Sequence, residues 1–278
     1  MKIGIVGLGL IGGSLALDLR SIGHTILAVS RRQETCEQAI ARHIVDDAST
    51  DLRLMTDADV VFLCIPLGAI DSTVEQLIPH LSFNTVLTDV GSVKGSVVKT
   101  VAPRWQNFVG GHPMAGIAES GLEAALPKLF VDRPYVLTPI ESTPLAAVEL
   151  VADIARSLQS RVYQCNPDDH DRAVAWISHL PVMISASLIA TCMGEPDLVA
   201  LNLAQKLASS GFRDTSRVGG GNPELGVMMA KYNKEAVLRS LHAYRQQVDQ
   251  IIQQIEQERW NELADRLAQT RQDRPQFL

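Results

Sequence analysis

The sequence has few cysteines, few aromatic side chains and no surplus of basic residues. Its 278 residues include four cysteines, 5% aromatic residues, and 25 Lys and Arg against 31 Asp and Glu, a formal net charge of -6. The cysteines form no C-x-x-C pair, so the pattern indicates neither a zinc site nor a redox motif. A protein that binds nucleic acid usually carries a surplus of basic residues on its binding surface, and this chain has fewer basic than acidic residues. We therefore expect a folded, mildly acidic protein with no metal and no nucleic-acid partner.

Long apolar runs are also missing from the sequence. A helix that spans a bilayer needs about 18 to 20 consecutive apolar residues. The nearest run, residues 182–193, is interrupted by Ser185, Ser187, Thr191 and Cys192. The amino terminus reaches its first glycines too early for a basic leader followed by a long apolar stretch. The sequence therefore predicts no membrane span, no signal peptide and a cytoplasmic location.

The first half of the chain contains an alternation of short β-branched runs and amphipathic helical stretches. This alternation is typical of a parallel sheet covered by helices. We predict strands at 2–6, 25–29, 60–64, 85–89, 135–138 and 160–165, and helices at 14–21, 34–42, 68–80 and 93–105. The sequence thus predicts an α/β domain over residues 1–165.

The pattern changes at Asn166. Asn166 can cap a helix, Pro167 suits its first position, and two aspartates follow where the helix dipole favours negative charge. Asn222 and Pro223 repeat this signal after three glycines, and no convincing strand occurs between residues 166 and 278. We therefore predict a second, all-α domain over residues 166–278.

The second domain carries an apolar stripe whose members are spaced alternately three and four residues apart. The stripe consists of Leu241, Tyr244, Val248, Ile251 and Ile255. Such spacing is typical of a coiled coil, but two heptads are too few to be diagnostic. Two interpretations stay open: dimerisation through the helical domain, or a long helix packed within its own subunit.

A glycine-rich segment follows the first predicted strand directly and leads into a helical stretch. Gly7 suits a tight turn, Gly9 allows the backbone to approach a pyrophosphate, and Gly12 allows the helix to pack on the strand. The amino terminus of that helix supplies N–H groups to phosphates. This context predicts a Rossmann-type, doubly wound dinucleotide-binding fold. The candidate cofactor-binding residues in this segment are Gly7, Leu8, Gly9, Leu10, Ile11 and Gly12.

The end of the second predicted strand favours NADP over NAD. An NAD site usually places Asp or Glu there, whereas this chain has Ser30, Arg31 and Arg32. A hydroxyl and two guanidinium groups can hold the 2′-phosphate by charge-assisted hydrogen bonds. The alternative is that both arginines are solvated charges at a helix entry. Ligands gather at the carboxyl ends of parallel strands, so we also place Cys64, Ile65 and Pro66 near the cofactor.

Two further segments are candidates for the chemistry. Segment 89–94 begins where the predicted strand 85–89 ends, and segment 110–116 lies between that strand and the one predicted at 135–138. The glycines of both segments and Pro113 indicate irregular backbone rather than regular structure. His112 is the best candidate for a general base, because a neutral imidazole can accept an alcohol proton while hydride leaves the same carbon. Ser92 can hydrogen-bond either the imidazole or the substrate hydroxyl.

Five segments, in a highly specific order, span nearly the whole chain. They are GLGLIGGSLA at 7–16, DVGSVK at 89–94, GGHPMAG at 110–116, HDRAVAWISHLP at 170–181 and GFRDTSR at 211–217. Together these segments resemble the prephenate and arogenate dehydrogenases of tyrosine biosynthesis.

This resemblance implies oxidative decarboxylation of a cyclohexadienyl substrate by an N-terminal Rossmann domain and a helical dimerisation domain. On that analogy His112 takes the ring hydroxyl proton with help from Ser92, and no metal is needed. Arg217 pairs with a substrate carboxylate, and His179 lies in the substrate pocket. Arg213 is either a second anchor or an ion pair with Asp214. His170 and Asp171 equally suit a helix start, so they stay outside the candidate site.

One departure from the family pattern favours arogenate as the substrate. Some members that use prephenate have a second histidine where this chain has Val182, and valine cannot hydrogen-bond the pyruvyl ketone. We therefore expect an NADP-dependent arogenate dehydrogenase, with a prephenate dehydrogenase as the alternative. A β-hydroxyacid-type dehydrogenase is less favoured, since only Lys206 lies in the region where its catalytic lysine would stand. A non-catalytic NADPH-binding regulator would have no need of His112 and Arg217.

Overall fold

The computed structural model describes residues 1–117 and 119–277. These residues form eight strands, twelve α-helices and several short 3-10 turns. The strands are β1 Lys2–Val6, β2 Thr25–Val29, β3 Asp47–Ser49, β4 Val60–Leu63, β5 Val86–Asp89, β6 Phe108–Pro113, β7 Pro134–Thr138 and β8 Arg161–Gln164. The helices are α1 Leu10–Ser21, α2 Gln33–Ala41, α3 Ile70–Leu77, α4 Gly95–Val101, α5 Leu145–Ser157, α6 Pro167–Val174, α7 Leu180–Met193, α8 Leu198–Leu207, α9 Ser210–Ser216, α10 Pro223–Tyr232, α11 Lys234–Glu256 and α12 Trp260–Asp273.

All eight strands belong to one sheet in the order β3-β2-β1-β4-β5-β6-β7-β8. Every pairing is parallel except that of β6 with β7. The order reverses between β1 and β4, where Val6 pairs with Leu63, and β4 in turn aligns Leu63 with Asp89 of β5. The carboxyl ends of these strands therefore meet at one edge, beside the crevice in which doubly wound sheets bind ligands.

The sheet is covered on both faces, as the predicted α/β class requires. On one face Ile3 and Ile5 pack in a core with Leu15 of α1 and Val151 of α5. On the other face Leu63 and neighbouring strand residues pack with helices α3 and α4. Successive residues of a strand point to opposite faces, and both faces of this sheet are covered. Nearly every residue of a central strand is therefore apolar. The doubly wound architecture is confirmed.

Residues 110–113 form part of a strand, so the expectation of irregular backbone is wrong there, whereas residues 90–94 and 114–116 form neither helix nor strand, as expected. Strand β6 includes Gly110 and Gly111, ends at Pro113, and pairs antiparallel with β7. The glycines serve close packing instead of a turn. A side chain at Gly110 would overlap the Thr138 hydroxyl, and one at Gly111 would come within 2.7 Å of the Asp89 carbonyl oxygen. The three-residue edge strand β3 also went unpredicted.

From residue 166 to residue 277 the described chain contains no strand, as predicted. Asn166 caps α6 by accepting a hydrogen bond from the Asp169 backbone at 2.8 Å. Asn222 caps α10 in the same way, at 2.9 Å from the Glu224 backbone nitrogen. A single π-helical turn, Ala175–His179, connects α6 to α7.

Helix α6, the π-helical turn and α7 run without a break from Pro167 to Met193. This 27-residue helix has a mean hydropathy of 1.7 over its most apolar window, and 28% of that window is buried. By length and composition alone it is long and apolar enough to cross a membrane. The expectation that no apolar run reaches this length is therefore wrong, because the interrupting residues are uncharged and lower the hydropathy only slightly.

The chain divides into two compact units, Met1–Lys234 and Glu235–Leu278. The first unit contains the sheet and helices α1 to α10. In the second, the predicted apolar stripe lies on α11, and Arg266 of α12 donates to Gln254, Gln247 and Gln250 of α11. These bonds fix α12 against α11.

Candidate active site

The segment from Gly7 to Gly12 forms the tight turn that its glycines predict. Gly7 adopts a φ of +108°, and its N–H donates to Val29 at 2.8 Å. A side chain at Gly12 would overlap the Gly7 carbonyl oxygen, whereas one at Gly9 would meet no atom within 4 Å. Gly9 thus opens onto free space at the start of α1, whose first turn has no side-chain cap. The turn leaves backbone N–H groups available to a phosphate. Leu8 is buried in the core, and Leu10 and Ile11 are partly buried.

The other candidate cofactor residues surround the same turn. Ser30 follows β2 and donates from its backbone to Ser49 at 3.1 Å, while Arg31 and Arg32 are exposed and pair with no acidic side chain of the described chain. Cys64 and Ile65 pack directly beneath Gly7, and Pro66 precedes a 3-10 turn. Burial raises the pKa of the Cys64 thiol, so the thiol stays protonated and inert.

A chain of three side chains runs from the end of β6 to the start of α6. His112 Nδ1 lies 2.8 Å from His170 Nε2, and His170 Nδ1 lies 2.8 Å from Asp171 Oδ1. The same carboxylate accepts hydrogen bonds from the backbone nitrogens of Lys94, at 2.7 Å, and Gly95, at 2.8 Å. All three side chains are buried. Asp171 therefore caps α4 from outside and orients His170 at the same time.

This chain fixes which nitrogen of His112 is free. A carboxylate only accepts, so His170 Nδ1 carries the hydrogen and, in neutral His170, Nε2 is the acceptor. His112 must then donate from Nδ1, which leaves a lone pair on Nε2. Burial, followed by the nearby His170, Lys94 and His179, lowers the pKa of His112 well below its usual value. His112 is consequently a neutral base at physiological pH.

A buried ion pair holds the backbone that presents His112. Lys94 Nζ contacts the Asp89 carboxylate and donates to the Gly111 carbonyl at 2.6 Å. Asp89 in turn accepts from the backbone nitrogens of Gly91, at 2.8 Å, and Gly111, at 3.2 Å. Burial lowers the pKa of Lys94, and the neighbouring carboxylate opposes that shift. The pair thus fastens the end of β5 to β6 next to the base.

Ser92 and His179 both present unsatisfied polar atoms in buried positions. Ser92 Oγ and His179 Nε2 find no hydrogen-bond partner among residues 1–117 and 119–277. The ring of His112 is bonded to His170 and not to Ser92, which leaves the second role considered for Ser92, a bond to the substrate. His179 ends the π-helical turn, and burial lowers its pKa to about 4. Both atoms are therefore free to meet a ligand.

The two arginines considered for substrate binding lie apart from this buried cluster. Arg217 begins a 3-10 turn, is exposed, and forms no ion pair with the described residues. Arg213 pairs with the adjacent Asp214 at 3.1 Å, and both side chains are exposed. Within one chain the structure thus brings together His112, His170 and Asp171. Neither arginine contacts these three residues in the part of the chain that the structure describes. The described residues include no cluster of three or more His, Cys, Asp or Glu side chains that could hold a metal ion.

Sequence reasoning missed three residues of this cluster. His170 and Asp171 equally suit a helix start, which leaves them outside the predicted site, and no motif in the sequence includes Asn233. Asn233 lies just after α10, is buried, and donates from Nδ2 to the Asp171 carbonyl at 2.8 Å, with His179 Nδ1 at 3.2 Å. The adjacent acidic and imidazole side chains at 170–171 were the available clue.

Comparisons with known proteins identify the family of this chain. Residues 15–164 match the family model described as the nucleotide-binding domain of prephenate dehydrogenase, and residues 166–269 match its dimerization domain. The chain belongs to the prephenate dehydrogenase family. A prephenate dehydrogenase of Bacillus subtilis is 31% identical over 91% of this chain and 70% of its own length. A cyclohexadienyl dehydrogenase of Zymomonas mobilis is 32% identical over 85% of this chain and 82% of its own.

Two solved structures of the family superpose on the whole chain. Synechocystis arogenate dehydrogenase is 54% identical, with full coverage of both chains and a TM-score of 0.89. Prephenate dehydrogenase from A. aeolicus, solved with hydroxyphenyl propionate and NAD+, is 28% identical with a TM-score of 0.94, covering 100% of this chain and 98% of that one. The family thus uses a pyridine nucleotide, and the open space at Gly9 fits such a cofactor.

Two alanine substitutions separate the roles of the glycines in the turn. Gly9→Ala adds a methyl group that meets no protein atom, so we expect a melting temperature near that of the wild type and a loss of affinity for the reduced pyridine nucleotide. Gly12→Ala forces its methyl against the Gly7 carbonyl and should reduce the free energy of unfolding by about 1–3 kcal/mol. Thermal unfolding and fluorescence titration with NADH and with NADPH measure the two effects. Wild-type affinity for both nucleotides in Gly9→Ala would contradict the assignment.

Proposed function

We propose that this family member is an NADP-dependent arogenate dehydrogenase that converts arogenate to tyrosine with loss of carbon dioxide. The observation that carries the proposal is the neutral, buried His112, whose Nε2 lone pair is fixed through His170 and Asp171 at the carboxyl edge of the sheet. A general base of this kind suits proton removal from an alcohol that is being oxidised.

The residues of this chain have distinct parts in the reaction. His112 Nε2 accepts the proton of the ring hydroxyl, and His170 and Asp171 stabilise the imidazolium that results. NADP, when bound by the 7–12 turn, supplies the hydride acceptor. Loss of the ring carboxylate as carbon dioxide makes the ring aromatic and leaves a phenolate oxygen. His112 returns its proton to that oxygen, so the overall reaction neither releases nor consumes a proton.

We assign substrate binding to the candidate residues that take no part in proton transfer or cofactor binding. Ser92 and His179 offer buried polar atoms to groups on the ring, and Arg217 offers an unpaired guanidinium to a carboxylate. Arg213 already pairs with Asp214, so it has at most a secondary part. Fixed arginines supply local positive charge in a chain whose net charge is -6.

Three observations support the choice of NADP and arogenate. Arg31 and Arg32 are exposed at the end of β2, where no carboxylate stands to repel a 2′-phosphate. Val182 of α7 packs near Gly226 and offers no hydrogen bond to a pyruvyl ketone. The solved structure that is 54% identical over its full length is an arogenate dehydrogenase. A prephenate dehydrogenase remains the second candidate, since B. subtilis and A. aeolicus relatives carry that name.

Steady-state kinetics test both choices together. We expect the highest kcat/KM with arogenate and NADP. Replacing Arg31 and Arg32 by alanine should lower kcat/KM with NADP by about tenfold or more, because each charged hydrogen bond contributes about 1.5–3 kcal/mol, and leave NAD unaffected. Arg161→Ala is the matched control, because Arg161 is exposed, lies on the edge strand β8 and forms no ion pair with the described residues. Equal or better use of prephenate would refute arogenate, and turnover of neither substrate would favour a non-catalytic regulator.

We also propose that the chain is a cytoplasmic homodimer formed through its helical region. Residues 166–269 match a dimerization domain, and large apolar side chains of this region are exposed in the single chain. Exposed apolar patches of this kind mark protein interfaces. They include Met193, Leu198, Val199, Leu203, Leu207 and Val227. Burial in a dimer accounts for the apolar 167–193 helix without a membrane.

Light scattering at micromolar concentration tests the dimer. We expect twice the chain mass of 30.3 kDa in buffer without detergent. A monomer mass, or a chain that stays in solution only with detergent, would contradict the proposal.

A further inference from the structure

Asn233 connects two parts of the buried cluster through one amide nitrogen. Its Nδ2 lies 2.8 Å from the backbone carbonyl of Asp171 and 3.2 Å from His179 Nδ1. Asn233 follows the last residue of α10 and is buried, as is His179. The side chain of Asn233 therefore joins the end of α10 to both α6 and the π-helical turn.

The hydrogens of this amide determine the tautomer of His179. A backbone carbonyl can only accept, so the amide nitrogen and not the amide oxygen must face Asp171. The second hydrogen of the same NH2 group then points to His179 Nδ1, which must accept it. In neutral His179 the ring hydrogen consequently lies on Nε2.

The Nε2 atom that carries this hydrogen has no acceptor among residues 1–117 and 119–277. A buried donor without a partner costs about 1–3 kcal/mol, so such an atom is expected to meet a ligand. The charged and titratable groups near His179 are Asp171 and His170 on α6 and His112 on β6. Burial lowers the pKa of His179 to about 4 despite the opposing effect of Asp171. The donor is therefore a neutral imidazole at physiological pH.

We propose that Asn233 is a positioning residue that holds His179 as an Nε2–H donor, and that this N–H binds an acceptor oxygen on the substrate ring. The inference rests on the proposed function for the identity of the substrate, but not for the tautomer. His112 and His179 then have opposite tautomers: Nε2 of His112 accepts, and Nε2 of His179 donates. The pocket selects a ring that offers both a hydroxyl hydrogen and an acceptor oxygen.

The substitution Asn233→Asp reverses the polarity of this contact with little change in shape. The new carboxylate accepts from His179 Nδ1, which raises the pKa of His179 and leaves Nε2 without hydrogen whenever the ring is neutral. We expect kcat/KM for arogenate to gain a new descending limb as pH rises, because only the protonated ring still donates from Nε2. Above that limb KM should increase tenfold or more. Asn107→Asp is the matched control, since Asn107 Nδ2 also donates to a backbone carbonyl, that of Phe83 at 3.0 Å, but is half-buried and lies just before β6, at the opposite end of that strand from His112.

The histidine tautomer is measured directly by long-range ¹H–¹⁵N correlation spectra of the ligand-free, full-length chain. We expect His179 to carry its hydrogen on Nε2 in the wild type and in Asn107→Asp. An Nδ1–H tautomer in the wild type would overturn the proposal, whichever substrate the chain turns over and whether or not the Asn233 variant folds. A folded Asn233→Asp chain whose kcat/KM falls by the same factor at every pH would also overturn it, since that result indicates a structural role only.

Discussion

The carboxylate of Asp171 is the constraint on which the rest of the site depends. Helix α4 has no side-chain cap of its own, and Asp171 satisfies the first N–H groups of that helix from a segment 76 and 77 residues away in sequence. The same group orients His170 and, through it, His112. One buried acceptor thus joins the sheet domain to the first helix of the helical region and sets the proton positions of the base.

The other contacts place His112 where this acceptor can act on it. Lys94 bonds both Asp89 and the Gly111 carbonyl, so the end of β6 cannot move away from β5. Glycine at positions 110 and 111 allows β6 to lie close to Thr138 and Asp89. The net result is a pair of neutral histidines, His112 and His179, in a chain whose net charge is -6. Burial keeps both rings uncharged, so neither histidine adds positive charge to the site.

The parts of the fold that follow from local rules could be predicted from the sequence. The 7–12 turn and the caps at Asn166 and Asn222 each depend on a few adjacent residues, and the structure contains them all. The segment around His112 was misread because glycine and proline usually indicate turns, whereas here the demand for small residues comes from Thr138 and Asp89 on neighbouring strands. His170 and Asp171 are adjacent, but that adjacency equally suits a helix start, and the contacts that place them and Asn233 in the site reach residues 54 to 77 positions away. No pattern within one segment predicts contacts between such distant segments.

The measurement that tests this account most directly is the turnover of Asp171→Ala. A methyl group accepts no hydrogen bond, so Lys94, Gly95 and His170 all lose their shared acceptor. His170 can then take either tautomer, and His112 loses its fixed tautomer. The account predicts that kcat with arogenate and NADP falls on the order of 10²-fold or more, in a chain that still binds NADPH with wild-type affinity. Wild-type kcat in that variant would contradict the central role of Asp171.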